Sequence, residues 1–455
     1  MDASPRPTAH RRSHRRARRA VFALCCAALA CSFLACAFLA HPARAQTPDP
    51  ASFATLFPPD LHAAGTAPGV TVLSRDRPLY DPRGIRLGVL MARPSLDLST
   101  GYDTDPAGQP GRAGSLEFRT APALTLGAGW GEDRLGLALS ADDRRFPADP
   151  GLDRTDWTAA AGLDLGFGRD RLRLAATQRA LHEDGSTIGT LPTDRPLPYR
   201  VSAALASYRF AGARVSVTPE IDVAAWRYAT ASLGGIAVSE NDRNRDIARA
   251  GATARYALDP QTHFVVVLRD TATRYTAPAA GAPSRNSNAV SVLAGIEDAT
   301  DPMLRLRLLL GWEQRVFASA TYATHAAPIA EAQAIWQPSG MTTVTATLSR
   351  RIEDAAAEGV AGYTETAAGL RIDREARRNL IVSLSIGGQY ADFTGGAGQE
   401  RAGQAGASAT WLLNRRMRIT AGESVSVLDG SAGGLPGGTR SVTRSLSLVT
   451  LGFGL

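Results

Sequence analysis

Four histidines beyond residue 45 are the side chains best suited to metal binding or acid–base chemistry: His62, His182, His263 and His325. None of them has a partner at the spacing of a metal-binding motif. A hydrolase would need a serine facing a histidine, and although His182 or His263 is a candidate, no local motif supports the pair. The sequence therefore predicts no enzyme, no catalytic residue, no metal site and no cofactor.

The glycine-rich stretch 127-GAGWG-131 superficially resembles a phosphate-binding loop. Such a loop lies between a strand and a helix, but here a polar turn follows and no helical pattern does. We interpret the stretch as the end of a strand entering a hairpin turn, so dinucleotide binding is not expected.

Charged residues instead alternate with apolar neighbours, which is typical of strands with one polar and one apolar face. If the polar faces line an aqueous lumen, their fixed charges form a constriction that selects solutes by sign. An ion-pair lattice along the same wall is the structural alternative, and both can hold together. The residues assigned to the lumen are Arg171, Arg173, Arg305, Arg307, Arg371, Arg416, Arg418, Asp97, Glu117, Asp164, Glu220, Asp222 and Asp373.

Net charge does not indicate a nucleic-acid partner, although it is +7 with an isoelectric point near 9.6. Residues 1–45 hold eight arginines and one aspartate, and the remainder of the chain is neutral. The basic N-terminal run, the apolar run 21–40 and Ala43-Arg44-Ala45 predict a signal peptide over 1–45, cleaved before Gln46. A retained anchor and a lipoprotein site at Cys36 are the alternatives.

All four cysteines lie within that signal segment, so the mature chain is expected to have no disulfide and no thiolate site. Residues 46–82 are rich in proline and alanine and lack periodicity, which predicts a periplasmic leader or a plug of the lumen. From residue 83 to 455 period-two alternation dominates, as at Leu304, Leu306 and Leu308. No apolar run beyond residue 45 is long enough for a membrane-spanning helix.

Tight polar turns recur about every 40 residues, and longer polar segments lie between them. This regularity predicts an all-β fold: a transmembrane antiparallel up-and-down β-barrel of about 18 strands (16–18), with short periplasmic turns and long extracellular loops. A propeller would need recurring blade motifs, and a soluble sandwich would not need the loop asymmetry. A spanning sheet must close because lipid cannot bond to free backbone groups.

Aromatic residues cluster near the predicted strand ends, as the two interfacial girdles of a membrane barrel require. The alternative is an ordinary aromatic core. The girdle residues expected beside the short turns are Trp130, Phe167, Phe210, Tyr256, Trp336 and Trp411, and those beside the long loops are Trp157, Tyr199, Trp226, Tyr228, Tyr275, Tyr363 and Tyr390.

The first strand is expected in 80-YDPRGIRLGVLMARPSLDLSTGYDTD-105, where the apolar parity changes on either side of Pro94. A β-bulge explains both the proline and the change of parity. We therefore predict that pairing is interrupted at Arg93–Pro94.

This stretch resembles the N-terminal pattern of the putative β-barrel porin-2 family of proteobacterial outer-membrane proteins. The resemblance continues at 335-IWQPSGMTTVTATLSRRIED-354 and 411-WLLNRRMRITAGESVSVLDGS-431, and covers roughly 72–455. It implies an outer-membrane barrel with a presumed pore, in a family associated with exopolysaccharide-producing bacteria. Such barrels commonly end in phenylalanine, whereas this chain ends in Leu455.

The function expected from these features is a channel for passive diffusion of small hydrophilic solutes across the bacterial outer membrane. The alternatives are a conduit or accessory for exopolysaccharide secretion and a non-conducting structural or surface-interaction barrel. The expected partners are outer-membrane lipid and the barrel-insertion machinery, with periplasmic export components or surface polysaccharide under the second hypothesis. No nucleic-acid partner is expected.

Overall fold

Strands make up most of the chain in the computed structural model, which describes residues 70–131, 133–356, 359–432 and 439–455. The signal peptide, residues 46–69 of the leader and the remaining gaps lie outside the described residues. The strands are β1 (Ile85–Leu87), β2 (Leu90–Asp103), β3 (Ser115–Trp130), β4 (Asp133–Arg145), β5 (Arg154–Phe167), β6 (Asp170–Glu183), β7 (Leu197–Ala211), β8 (Val215–Tyr228), β9 (Thr230–Leu233), β10 (Ile236–Ser239), β11 (Arg245–Ala257), β12 (Thr262–Tyr275), β13 (Ser287–Asp298), β14 (Leu304–Phe317), β15 (His325–Ser339), β16 (Thr342–Glu353), β17 (Tyr363–Arg377), β18 (Leu380–Phe393), β19 (Gly398–Leu412), β20 (Met417–Ala432) and β21 (Thr439–Gly454).

Eighteen of these strands form a closed antiparallel ring, which confirms the predicted barrel. Each strand pairs with its neighbours in sequence, and β2 closes the ring by pairing with both β3 and β21. The exceptions are β1, which pairs only with β2, and β9–β10, which form a separate hairpin inside the connection from β8 to β11. Closure gives the backbone groups of every barrel strand a partner on both sides.

Alternation along the strands separates an outer face from a lumen face. On β14, Leu306, Leu308 and Leu310 are exposed on the outside, whereas Leu309 is fully buried. Arg307 has the parity of Leu309 and forms ion pairs inside the barrel. The exposed apolar face is the one that lipid would cover, and the charged face surrounds the bore.

The connections at one end of the barrel are much shorter than those at the other. We call these the short-turn end and the long-loop end. Residues 168–169 join β5 to β6 at the short-turn end, where Gly168 has φ = +70°, a conformation that a tight hairpin turn requires and glycine adopts without strain. At the long-loop end, residues 184–196 and 276–286 connect successive strands. The connection between β18 and β19 at the same end is shorter, because β19 begins at Gly398.

The bulge predicted at Pro94 is wrong. Pairing of β2 with β3 continues without a shift through Arg93↔Thr125 and Pro94↔Leu124. Pro94 is tolerated because its backbone carbonyl accepts from the N–H of Leu455, the residue after β21, so the side of Pro94 that lacks an N–H faces the end of the chain rather than β3. The change of parity arises earlier, where β1 folds back on β2 around Gly88-Val89.

The helical elements in the described part of the chain are three short 3₁₀ turns, at Pro150–Leu152, Asn241–Arg243 and Thr394–Gly396. Among the residues that the structure describes, no helix has the length and apolar character needed to cross a membrane.

Candidate functional site in the lumen

The lumen wall of β4–β7 near the short-turn end carries more arginine than carboxylate. Asp164 binds Arg171 at 2.9 Å (Nε to Oδ1) and Arg173 at 3.6 Å (Nη2 to Oδ2). Arg134 lies opposite Asp164, and Arg209 lies opposite Arg171, so both share this face. Within the described residues neither of these two arginines forms an ion pair, which leaves positive charge directed into the bore.

Most of the other lumen charges expected from the sequence form ion pairs within one strand or with a strand nearby in the ring. Arg418 binds Asp97 at 2.7 Å, and Arg371 binds Asp373 at 2.9 Å. Three more of the expected charges pair on the lumen side: Arg307 binds Glu297 at 2.7 Å, Asp222 lies 3.6 Å from Arg249, and the buried Glu117 lies 4.0 Å from Arg144. Arg305 and Glu220 lie at strand positions that face the lumen. The geometry therefore places both an ion-pair lattice and unpaired charge along the bore.

Arg416 does not lie on the lumen wall. It belongs to the exposed turn that joins β19 to β20, which begins at Met417, and its backbone N–H is bonded to the side chain of Asn414. The apparent alternation of Arg416 with Arg418 fails because the first of the two precedes the strand.

The aromatic residues expected as girdles divide between the two faces. Those on the outer face are Trp130, Phe167, Phe210, Tyr256, Trp336 and Trp411 near the short turns, and Trp157 and Tyr390 near the long loops. The girdle assignment is wrong for Trp226 and Tyr363, and also for Tyr199, Tyr228 and Tyr275, which are buried on the lumen side. These five fail because arginines and loops inside the bore provide cover, as where the Arg243 guanidinium lies 4.1 Å from the Tyr228 ring centroid.

The connection 184–196 between β6 and β7, which we call the crossing loop, spans the bore at the long-loop end. Ile188 is buried among Tyr363, Phe393, Leu428 and Val442, which belong to strands on the far side of the ring. Sequence patterning did not identify this loop as part of the lumen, and its only signal is Ile188 and Leu191 within a polar segment.

Polar contacts hold the crossing loop on the far wall. The Gly189 amide donates to the Glu400 carboxylate at 2.7 Å, and Glu400 is fully buried. Arg440 binds Glu400 at 2.7 Å and donates to the backbone carbonyls of Gly185 and Thr187, each at 3.0 Å. At Gly189, φ is +72° and an added Cβ would lie 2.9 Å from the Tyr363 ring, so only glycine fits this approach.

A further ion pair fixes the start of the crossing loop. Asp184 lies 3.2 Å from the Arg444 guanidinium, which also binds Asp103. Burial acts to raise the pKa of Asp184, but Arg444, Arg154 and hydrogen bonds from Ser186 outweigh it and hold that pKa below its ordinary value of 3.8. Asp184 is therefore ionised wherever the protein is exposed to near-neutral water.

This ion pair predicts how the crossing loop responds to acid. Because the pKa of Asp184 is lowered in the folded barrel, its contribution is present above the ordinary value of 3.8 and is lost as the pH falls through the lowered pKa. Single-channel conductance in planar bilayers should stay constant between about pH 5 and 8 and rise only below about pH 4. Asp184→Asn removes the titrating carboxylate, so this variant should show the raised conductance already at neutral pH and no further rise from this group in acid; an unchanged acid profile would contradict the assignment.

The described part of the leader, residues 70–82, and the two residues that follow it lie at the short-turn end, and we call residues 70–84 the N-terminal strap. The Val72 amide donates to the Thr343 hydroxyl at 2.9 Å, and Val72 is buried. Arg75 and Arg77 bind Glu375 of β17 at 3.3 and 3.1 Å. Further along, the Pro78 carbonyl accepts from Arg415, so the strap reaches from β16 and β17 to the turn before β20.

No group of three metal-ligating side chains occurs among the residues that the structure describes. His182 lies 2.7 Å from Asp156 and His325 lies 2.8 Å from Thr364, each as a single contact.

Solved structures similar to this fold are outer-membrane proteins. The chain is 13% identical to the outer membrane protein opdK from Pseudomonas aeruginosa, with 80% of this chain and 98% of that chain covered and a TM-score of 0.42. The chain is also 13% identical to Pseudomonas aeruginosa OccK2 (OpdF), with 80% of this chain and 98% of that chain covered and a TM-score of 0.43. It is 9% identical to the FrpB iron transporter of Neisseria meningitidis in its apoprotein form, with 82% of each chain covered and a TM-score of 0.40. These likenesses concern the fold alone.

The sequence comparison goes further than the fold. No curated protein matches the chain. The family model described as putative beta-barrel porin 2 matches residues 77–436, which is most of the chain and includes the motifs that carry the resemblance noted above. The chain therefore belongs to the putative beta-barrel porin 2 family of outer-membrane β-barrels.

Proposed function

We propose that this barrel is a passive outer-membrane channel for small hydrophilic solutes and that it favours anions. The observation that carries the proposal is the contrast between the two faces of one sheet, apolar outside and charged inside. A wall of charged side chains stays hydrated, so a hydrophilic solute crosses it at less cost than the surrounding lipid.

The preference for anions is inferred from the short-turn half of the bore. Arginine outnumbers carboxylate on the β4–β7 wall and the adjoining part of β8, where Arg134, Arg171, Arg173 and Arg209 lie near Asp164 and Glu220. Ion pairing cancels part of this charge, but Arg134 and Arg209 keep theirs within the described residues. A cation passing this wall meets net repulsion, and an anion is attracted.

Planar bilayers test the channel directly. Purified protein should give stepwise conductance, and its reversal potential in a salt gradient should show preference for chloride over potassium. Absence of steps from correctly folded protein would remove the passive-channel proposal and leave a non-conducting barrel. Conductance without solute flux, together with loss of surface polymer in a deletion strain, would favour the exopolysaccharide conduit instead.

Charge reversal in the lumen should shift ion selectivity. Arg209→Glu should lower the chloride-to-potassium permeability ratio by at least about fivefold, since a single unit charge about 4 Å away in water is worth about 1 kcal/mol and the reversal changes the charge by two units. The measurement is the reversal potential across a tenfold salt gradient. Arg200→Glu is the matched control, because Arg200 lies on the outer face of the same strand between the buried Tyr199 and Val201, and it should leave selectivity unchanged.

A further inference from the structure

Arg200 of β7 and Arg227 of β8 lie opposite each other on the outer face of the barrel. They are register partners on adjacent antiparallel strands, and both are exposed, whereas their neighbours Tyr199 and Trp226 are buried on the lumen side. Residues directly opposite each other have Cβ atoms about 5 Å apart, and like charges in that arrangement destabilise a sheet. On the outer face of the described strands, no other two arginines are register partners. This part of the sheet would therefore gain stability from an anion placed between the two guanidinium groups.

On this part of β7, β8, β11 and β12, three arginines accompany a single carboxylate. Asp246 of β11 binds the Arg227 guanidinium at 2.6 Å and is the register partner of Arg274 on β12, which is exposed on the same face. Arg274 donates to neutral groups, among them the side-chain oxygen of Asn288 at 2.7 Å. Arg200 has no hydrogen bond or ion pair with any residue that the structure describes. We call Arg200, Arg227, Asp246 and Arg274 the arginine patch, and it carries an excess of two positive charges.

The geometry of the arginine patch suits a phosphate group. Arg227 donates to the backbone carbonyls of Trp226 and Arg245 at 2.8 and 3.1 Å in addition to its bond with Asp246, so its guanidinium is held in place. A guanidinium presents a planar fork of N–H donors that matches the oxygens of a phosphate. Two such forks on adjacent strands can bind one phosphate from two sides.

The arginine patch lies at the level where lipid headgroups begin on the long-loop side. The outer-face residues of β8 are apolar from Val215 to Ala225, which covers about 25 Å for a strand rise of about 3.3 Å and a tilt of about 40°. That is the height of the apolar band of a membrane barrel. Arg227 is the next outer-face residue, so it and its register partner Arg200 lie just beyond the hydrocarbon. Because the long loops of outer-membrane barrels are extracellular, the patch faces the outer leaflet.

Small side chains line the wall directly below the arginine patch. The outer-face residues there include Ser202, Ala204, Ala225, Ala248 and Ala272. Small residues on a lipid-facing surface allow another group to approach the backbone closely. Larger apolar side chains resume deeper, at Val223 and Ile221. Asp270, the other outer-face carboxylate of these four strands, lies about 13 Å further along β12 than Arg274 and does not neutralise the patch.

Other outer-face arginines near the long-loop end lack this arrangement. Arg145 pairs with Asp143, and Arg401 is the register partner of Asp429. Arg350 donates to two neutral groups and has no arginine opposite it. At this end of the described barrel, two guanidinium groups that can face one phosphate therefore occur at the arginine patch.

We propose that the arginine patch binds a phosphate group on the headgroup of an outer-leaflet glycolipid. Arg200 and Arg227 contact the phosphate from two strands, and Arg274 adds its charge from β12. The small residues below accommodate the sugar headgroup, and the acyl chains follow the apolar face. The proposal does not rest on the channel function. Because the patch lies outside the bore, the ion selectivity of an Arg200 variant should equal that of the unaltered protein.

Lipid titration followed by native mass measurement tests the site. In an uncharged detergent, the purified protein should retain one molecule of diphosphoryl lipid A. Arg200→Gln should weaken this binding by at least about tenfold, since it removes one of the two guanidinium groups that donate to the phosphate. Arg200→Lys keeps the charge but loses the fork, so its affinity should lie between the two. Arg401→Gln is the matched control, because Arg401 is an outer-face arginine near the same end, and it should bind as tightly as the unaltered protein.

Four results of this titration would overturn the proposal. Equal binding of the dephosphorylated lipid would show that the acyl chains make the contact without the phosphate. An equal loss in Arg401→Gln would show a non-specific attraction between charges. Displacement of the lipid by inorganic phosphate at the same concentration would assign the patch to the free anion. A mass of two chains in the absence of lipid, lost in Arg200→Gln, would assign the patch to a second copy of this chain.

Thermal unfolding in the same detergent gives a readout whose sign changes with the lipid. Without lipid, Arg200→Gln should unfold at the same temperature as the unaltered barrel or at a higher one, because it removes a like charge opposite Arg227. With diphosphoryl lipid A, the midpoint should rise more for the unaltered barrel, since a ligand that binds the folded state stabilises it. Heat-dependent migration in gels measures the midpoint. Either a lower midpoint for Arg200→Gln without lipid or an equal rise for both proteins with lipid would contradict the proposal.

Discussion

Deletion of residues 187–191 should raise the single-channel conductance of this barrel severalfold. These residues are the part of the crossing loop that reaches the far wall, where Ile188 is buried and the Gly189 amide binds Glu400. An 18-strand ring holds an aqueous bore unless something fills it. The crossing loop spans the bore at the long-loop end, so its removal should widen the path there.

The control for this deletion is a loss of equal length from another long loop. Residues 277–281 between β12 and β13 are exposed, and no described hydrogen bond ties their side chains to the lumen. Their deletion should leave conductance unchanged. Equal conductance for the two deletions, with both barrels folded, would mean that the constriction lies elsewhere.

A milder change tests the same constriction without shortening the chain. Glu400→Gln keeps the shape of the side chain but removes the charge that holds both Gly189 and Arg440. Truncating one partner of a buried charge pair leaves the other uncompensated, at a cost of about 3–5 kcal/mol. The variant should therefore show frequent transitions to the larger conductance of the deletion, measured in the same bilayers.

Local patterning was sufficient to predict the barrel, because the alternation of apolar and polar residues along each strand shows which face meets lipid. Leu306, Leu308 and Leu310 alternate with Arg307 in this way, and the short turns mark one end of each hairpin. Lumen assignments followed from the same parity, as for Arg371 and Asp373. These features depend on residues two or three positions apart, which the sequence displays directly.

The contents of the bore depend on contacts between residues far apart in the chain, and alternation does not encode them. Trp226 was expected to face lipid because it lies at a strand end, but Arg245 and the loops give it cover inside. Glu400 and Gly189 are separated by more than 200 residues, and nothing near either one indicates the other. The bulge predicted at Pro94 was wrong for a related reason, since the proline fits within the strand through a contact with Leu455, more than 300 residues away in the chain.

Loosening of the N-terminal strap should be the second large effect on conduction. Glu375 accepts from both Arg75 and Arg77, and Arg77 is largely buried beside Val72. Glu375→Gln removes the negative charge and leaves the Arg77 guanidinium uncompensated, at a cost of about 3–5 kcal/mol for a fully buried pair and less here, because both side chains keep some exposure. We expect at least about a tenfold rise in the population with the strap detached, since about 1.4 kcal/mol corresponds to that factor.

Limited trypsin digestion of the barrel in detergent measures that population, because the bond after Arg75 is accessible to trypsin only when the strap leaves the wall, whereas Arg77 precedes Pro78 and is not a trypsin site. Cleavage in Glu375→Gln should be at least about tenfold faster than in the unaltered protein. Single-channel records should show matching flicker at the short-turn end. Glu297→Gln provides the control, since Glu297 binds Arg255 and Arg307 in the same lumen and does not touch the strap. Because the two carboxylates differ only in their partners, equal cleavage rates in the two variants would show that the strap is held by Val72 and its backbone bonds rather than by the charge of Glu375.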